Sequence, residues 1–195
     1  MPSAETIVNA KPPPNRALEI AAPQTRPGAA ALVRADWSFE VRGALDADSD
    51  RIAALIAAHA DSGGTLRRSV EEVHAAIGEF VIAEGVRPGD GAPWLAACGA
   101  LAVFSPALAE IRSVAVDPDS QGAGLGRLVV ERLVDVAESM EIDRVVLLTQ
   151  TPGFFQRCGF GEVDAEFLPV DFIEEAIIAR GRTCRGRAIM LRSLS

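Results

Sequence analysis

The chain has 195 residues, is 49% hydrophobic, carries a formal net charge of −8 and contains two histidines, three cysteines and no tyrosine. Its length and apolar content suit one core-building domain, while its acidic balance excludes a typical nucleic-acid binder, which needs a basic face for phosphates. Two histidines and three scattered cysteines leave no pattern for a metal site, and no run approaches the ~18 apolar residues that span a bilayer. Cys98, Cys158 and Cys184 read as reduced thiols. With no basic start and no apolar signal core at the N-terminus, a cytoplasmic protein is expected.

Residues 1 to about 36 carry Lys11-Pro12-Pro13-Pro14, Pro23, Pro27 and Gly28 among alanines. Proline fixes φ and removes donors, and no hydrophobic period survives there. A disordered extension is expected over 1–36 and a folded domain over 37–195. The domain opens with a strand through Phe39, Val41 and Leu45. Ile52, Leu55, Ile56 and His59 then recur at helical spacing behind an Asp/Ser cap, so His59 reads as a packed core histidine. Asp61-Ser62-Gly63-Gly64 stops that helix. Ser69-Val70-Glu71-Glu72 has the form of a capping box and starts a second helix through Val73, Ile77 and Phe80, with His74 facing solvent.

Phe80–Glu84 reads as strand two, Arg87–Gly91 as a polar hairpin loop, and Trp94–Phe104 as a strand covered on both faces. The central strand follows, with β-branched Ile111, Val114 and Val116, and Asp117-Pro118-Asp119 breaks it. Gln121-Gly122-Ala123-Gly124-Leu125-Gly126-Arg127 leads into an amphipathic helix from Leu128 to about Met140. Val145–Thr149 is a buried strand parallel to the central one. A short helix over Pro152–Cys158 ends at Gly159, and Phe160 begins strand six. A last helix over 173–180, a basic segment over 180–187 and a closing strand from Ala188 complete the chain. The order predicts a mixed α/β sheet, mostly antiparallel, with one parallel pair at its centre and flanking helices.

A strand, a glycine turn and a helix start form an anion cradle, because first-turn amides have no intrahelical partner and glycines admit a phosphate. A Walker loop would need Gly-Lys-Ser/Thr, and Arg127-Leu128 stand there instead. A dinucleotide fingerprint would need G-x-G-x-x-G after the first strand of the fold; here the spacing is G-x-G-x-G and the strand comes late. Val-Ala-Val-Asp-Pro followed by Gln121-x-x-Gly124-x-Gly126 instead resembles the acetyl-CoA motif of the GNAT acetyltransferase superfamily. Phe155-x-x-x-Gly159-Phe160 extends that likeness. Ala109-Glu110-Ile111, the Leu-Leu-Thr strand end and Leu66-Arg67-Arg68-Ser69 are similar to the acetyltransferase domain of bacterial N-acetylglutamate synthases, in the short form without a kinase domain.

That resemblance implies the GNAT fold, acetyl-CoA as co-substrate, no metal, and a small amino acid, L-glutamate, as acceptor; it leaves a homodimer open and involves neither nucleic acid nor membrane. It implies Glu110 as general base, with Val114 and Val116 along the pantetheine arm and a backbone amide near Val114 as oxyanion donor. Gln121, Gly122, Gly124, Gly126 and Arg127 would hold the pyrophosphate. Arg67, Arg68 and Arg182 would hold the two carboxylates of the acceptor, and two arginine clusters in an acidic protein suit a dicarboxylate on physical grounds as well. The near-terminal word departs from the family's Arg-x-Ser-Lys, since Cys184 and Arg185 replace serine and lysine. Phe155 stands where many relatives keep a tyrosine acid, so water or Thr149 is left to assist the leaving thiolate. A different amine acceptor, or a silent acetyl-CoA sensor, are the competing expectations.

Overall fold

A computed structural model describes residues 38–61, 65–86, 91, 93–179 and 181–194. The expectations for the 1–36 extension, Trp37, the 62–64 stop, the 87–90 loop and Arg180 lie outside those residues. Strands β1 (Ser38–Gly43), β2 (Phe80–Val86), β3 (Pro93–Ser105), β4 (Leu108–Val116), β5 (Arg144–Thr149), β6 (Gly161–Val163) and β7 (Ala188–Ser193) form one sheet in the order β1-β2-β3-β4-β5-β7-β6. All neighbours are antiparallel except β4 and β5, the parallel pair that the alternation of strand and helix predicts.

Helix α1 spans Ser49–Asp61, α2 Val70–Ala75, α3 Leu125–Ser139 and α4 Pro152–Gln156. Residues Val170–Phe172 make one α-turn, α5, which continues as a π-helix over Ile173–Ile178. The helices cover both faces of the sheet. On one face Val129, Val130, Leu133 and Val134 of α3 pack on Ala97, Leu101, Ile111 and Leu147. On the other, Ile52, Leu55 and Ile56 of α1 meet Ile82, Cys98 and Ala100. Each such side chain contributes roughly 1.5–3 kcal/mol by leaving water.

β3 is small and apolar because two helices press on it. A Cβ on Gly99 would lie 2.9 Å from a methyl of Val129 and 3.0 Å from one of Leu133. Only glycine lets α3 approach so closely, and this sets how near the helix lies to the sheet.

Several features differ from the sequence expectation. β1 ends at Gly43 and leaves Leu45 exposed, and the second helix ends at Ala75, with a 3-10 turn over Ile77–Glu79 before Phe80 opens β2. α3 starts at Leu125 rather than Leu128, because Gly124 is its N-cap at φ +80°. The last helix is π-wound: the Ala179 amide donates to the Glu174 carbonyl at 2.8 Å, five residues back. The closing strand, β7, lies inside the sheet, between β5 and β6. Its Ile189 and Met190 are buried, whereas β6 has three residues, two of them exposed, and so makes a blunt edge. Among the described residues no helix is long and apolar enough to cross a membrane.

Candidate active site

The site begins where β4 and β5 part. They pair only over Leu108–Glu110 and Arg144–Val146, although β4 continues to Val116 and β5 to Thr149. Beyond the paired stretch an open wedge remains at the carboxyl ends of two parallel strands, the place where α/β sheets hold ligands. A bulge in β4 helps to open it. Cys98 pairs with Ala115 and Ala100 with Arg112, so three steps of β4 oppose two of β3, and Ser113 takes φ +56°. Such a bulge bends the strand and re-aims its side chains. Cys98 lies opposite, donating to the Ser113 carbonyl at 3.6 Å, and burial pushes its thiol up to about 12.

At the mouth of the wedge, the Asp117 carboxylate accepts from the Asp119 amide at 3.1 Å and turns the chain after β4. Gly122 (φ +78°) and Gly124 (φ +80°) occupy left-handed backbone that other residues rarely adopt. α3 then begins with no acidic side chain in its first turn. A Cβ on Gly126 would stand 3.1 Å from Val116 and 3.2 Å from the Phe154 ring, whereas one on Gly122 would meet nothing within 4 Å. Open space beside Gly122 and orphan amides of a long helix fit a diphosphate.

The wedge widens into a cleft of about 1350 Å³. Among the described residues, seven arginines line it (Arg67, Arg68, Arg112, Arg127, Arg157, Arg182 and Arg187) against one acid, Glu72. The Glu72 carboxylate is spent on the capping box, accepting from the Ser69 amide at 2.8 Å. An acidic protein thus presents a cationic cavity, the local field an anionic ligand needs.

The cleft gathers nearly all the residues singled out in the sequence. Val114, Val116, Gln121, Gly122, Gly124, Gly126 and Arg127 line it, as do Thr149, Phe155, Arg67, Arg68 and Arg182. Arg127 donates from Nε to Glu131 at 2.6 Å and is mostly exposed. Arg67 is exposed, while Arg68 is half-buried with its guanidinium carbon 5.9 Å from the Phe80 ring centre, a cation–π distance. The Thr149 hydroxyl accepts from the Thr151 amide at 3.0 Å and lies 3.1 Å from the Thr151 hydroxyl. Phe155, 7% exposed, stacks edge-on with Phe154 and Phe160, and offers no acidic hydrogen.

Glu110 is placed differently from its sequence expectation. It is the third residue of β4 rather than the first, paired with Ala102 of β3 and Val146 of β5. It is 2% exposed and does not itself line the cleft. Both carboxylate oxygens are held by Arg182: Nη1 donates to Oε2 at 2.9 Å and Nη2 to Oε1 at 2.5 Å. Two residues expected to act on different parts of an acceptor are therefore partners of each other.

Several cleft residues escaped the sequence reading. Arg112 shares the two-residue period of Glu110 and Val114, a signal that was present; its Nη2 donates to Glu79 at 2.5 Å. Arg157 follows α4 and carries no local pattern, whereas Arg187 ends the basic segment and precedes β7. His59, read as core, is half-buried and lines the cleft, with Nε2 2.7 Å from the Val116 carbonyl oxygen and 3.1 Å from its amide nitrogen. His74 is exposed, as expected. Cys158 lines the cleft, and burial, helped by the Glu131 carboxylate, raises its pKa and keeps it a thiol. Among the described residues no group of three or more His, Cys, Asp or Glu gathers to hold a metal.

Residues 27–160 match the family described as acetyltransferase (GNAT). The chain belongs to the GNAT acetyltransferase family. This GNAT chain is 36% identical over 135 residues to the amino-acid acetyltransferase of Mycobacterium tuberculosis, covering 69% of this chain and 75% of that one. It is also 36% identical over 129 residues to an uncharacterized N-acetyltransferase of Chlorobaculum tepidum, over 66% and 79% of the two chains. Its fold matches the N-acetylglutamate synthase of Neisseria gonorrhoeae, in complex with coenzyme A and N-acetyl-glutamate, at TM-score 0.69 and 31% identity. That match covers 80% of this chain and 35% of the larger protein. The GNAT fold expected from the sequence is the fold observed.

Proposed function

We propose that this GNAT enzyme transfers the acetyl group of acetyl-CoA to the α-amine of L-glutamate. The observation that carries the reading is the arginine-lined cleft, which runs from the α3 mouth to the Glu110–Arg182 pair. Relatives named amino-acid acetyltransferase, and a structural neighbour complexed with coenzyme A and N-acetyl-glutamate, support the same acceptor.

In this reading the first amides of α3, with Gln121, Gly122, Gly124, Gly126 and Arg127, hold the diphosphate of CoA. Val114 and Val116 follow the pantetheine arm. Arg67, Arg68 and Arg182 take the carboxylates of glutamate, each guanidinium able to grip one bidentately. The thioester supplies an activated acyl carbon and a leaving thiolate. Glu110 takes a proton from the incoming ammonium, directly or through a water, so that nitrogen can attack; a backbone amide near Val114 faces the oxygen on which charge develops. The C–S bond breaks as the C–N bond forms. Of two protons lost by nitrogen, one ends on the CoA thiol and one in solvent. With phenylalanine at position 155 and no tyrosine in the chain, the thiolate takes its proton from water or by way of the Thr149 hydroxyl.

The test is free-thiol release from acetyl-CoA in the presence of each common amino acid in turn. Release with glutamate above all others is expected. Release only with a neutral or cationic amine would reassign the acceptor. Tight acetyl-CoA binding without release for any amine would make the protein a sensor.

A further inference from the structure

A base whose two oxygens already grip a guanidinium is a weak base. The arginine stabilises the carboxylate's charge and occupies its lone pairs. In this chain Arg182 lies across both carboxylate oxygens of Glu110, which is 2% exposed, at 2.5 and 2.9 Å. Arg182 itself lines the cleft. Its Nη1 also reaches the Ala176 carbonyl at 3.2 Å, closing the end of the π-helix. Those three bonds leave Nε–H and one Nη2–H for an incoming carboxylate. The segment that carries Arg182 runs between Gly181 (φ +65°) and Gly186 (φ +71°), and a Cβ on either glycine would meet nothing within 4 Å. The cation thus stands on a mostly exposed segment, while the carboxylate sits in a strand paired on both sides.

We propose that Glu110 and Arg182 form an exchange pair: the side-chain carboxylate of the acceptor recruits Arg182 away from Glu110 and thereby switches on the base. The inference rests on the acceptor reading above. An incoming carboxylate takes the two spare donors first, and the guanidinium then passes to it from Glu110. What remains is a buried carboxylate without its counter-charge, for which taking a proton becomes favourable. The amine of the same acceptor supplies that proton. An acceptor without a second carboxylate leaves Glu110 locked, so discrimination falls on kcat rather than on binding alone. In this scheme Arg182 binds the acceptor's side-chain carboxylate, and Glu110 is the group that meets the amine.

The experiment compares L-glutamate with L-norvaline, which keeps the chain length but ends in methyl, at saturating acetyl-CoA, with and without added sodium propionate at matched ionic strength. Wild-type protein is expected to turn over norvaline with a kcat lower by about 30-fold or more, and propionate is expected to restore about fivefold of it by supplying the missing carboxylate in trans. In Arg182→Ala the base is never masked. Norvaline turnover should rise about tenfold over wild type, propionate should do nothing, and the glutamate KM should climb. If wild-type protein acetylates glutamate but norvaline gains nothing from propionate, the exchange is wrong and the pair is structural. Equal loss of kcat for both acceptors in Arg182→Ala says the same. No acetylation of glutamate at all removes the acceptor reading, and the exchange with it. Should the variant not fold, the propionate response of the wild type decides alone.

Discussion

Glu110 sets the terms at the scale of single residues. Its neighbours Leu108 and Val146 belong to the apolar cluster under the π-helix, so an ionised carboxylate there depends on Arg182 for its charge balance. Glu110→Gln keeps the shape and removes the base. We expect kcat to fall by about 10²- to 10⁴-fold while the Kd for CoA, measured by calorimetry, stays within about twofold. An unchanged kcat would mean that Glu110 only orients Arg182. The sequence pointed to both residues but not to their contact, because 72 positions separate them and nothing local encodes the pairing. The same holds for His59 and the Val116 backbone, 57 positions apart.

At the scale of elements, two devices hold the frame. The first is a ring of ion pairs joining β1, the start of α1 and β2. Arg42 donates to Asp48 at 2.7 Å and to Glu84 at 3.1 Å, and Arg51 bridges Asp48 and, at 2.9 Å, Glu84. Burial alone would raise the Asp48 pKa; the Arg42 guanidinium, the Leu45 amide and Arg51 outweigh it and hold the carboxyl at about 2. Its folded pKa lies below its ordinary 3.8, so the stabilisation is complete above pH 4 and is lost as pH falls towards 2. Urea midpoints of wild type and Asp48→Asn should converge over that window. Parallel curves would contradict the assignment. The second device is the seat of α3 on Gly99. Gly99→Val should cost about 1–3 kcal/mol by denaturant melting and weaken CoA binding, since the displaced helix carries the anion mouth with it. Stability loss with CoA affinity intact would separate the helix seat from the site.

For the whole molecule, the sequence showed most of what repeats locally: the capping box at Ser69, the glycine cradle before α3, and the parallel pair implied by strand, helix, strand. It did not show the bulge at Ser113, where a non-glycine residue accepts positive φ for the sake of pairing on either side. Nor did it show β7 passing between β5 and β6, since sheet order follows from which strands bury both faces, a property of the assembled core. The cleft is likewise a collective feature. Its seven arginines come from five separate stretches of an acidic chain, and only the fold brings them to one cavity. Whether that cavity performs acetyl transfer to glutamate is answered most directly by following ¹⁵N-labelled L-glutamate with acetyl-CoA and purified protein by proton–nitrogen NMR. A new amide cross-peak from N-acetylglutamate, growing as free CoA appears, is the predicted result. Folded protein that binds CoA yet yields no amide signal would contradict the account.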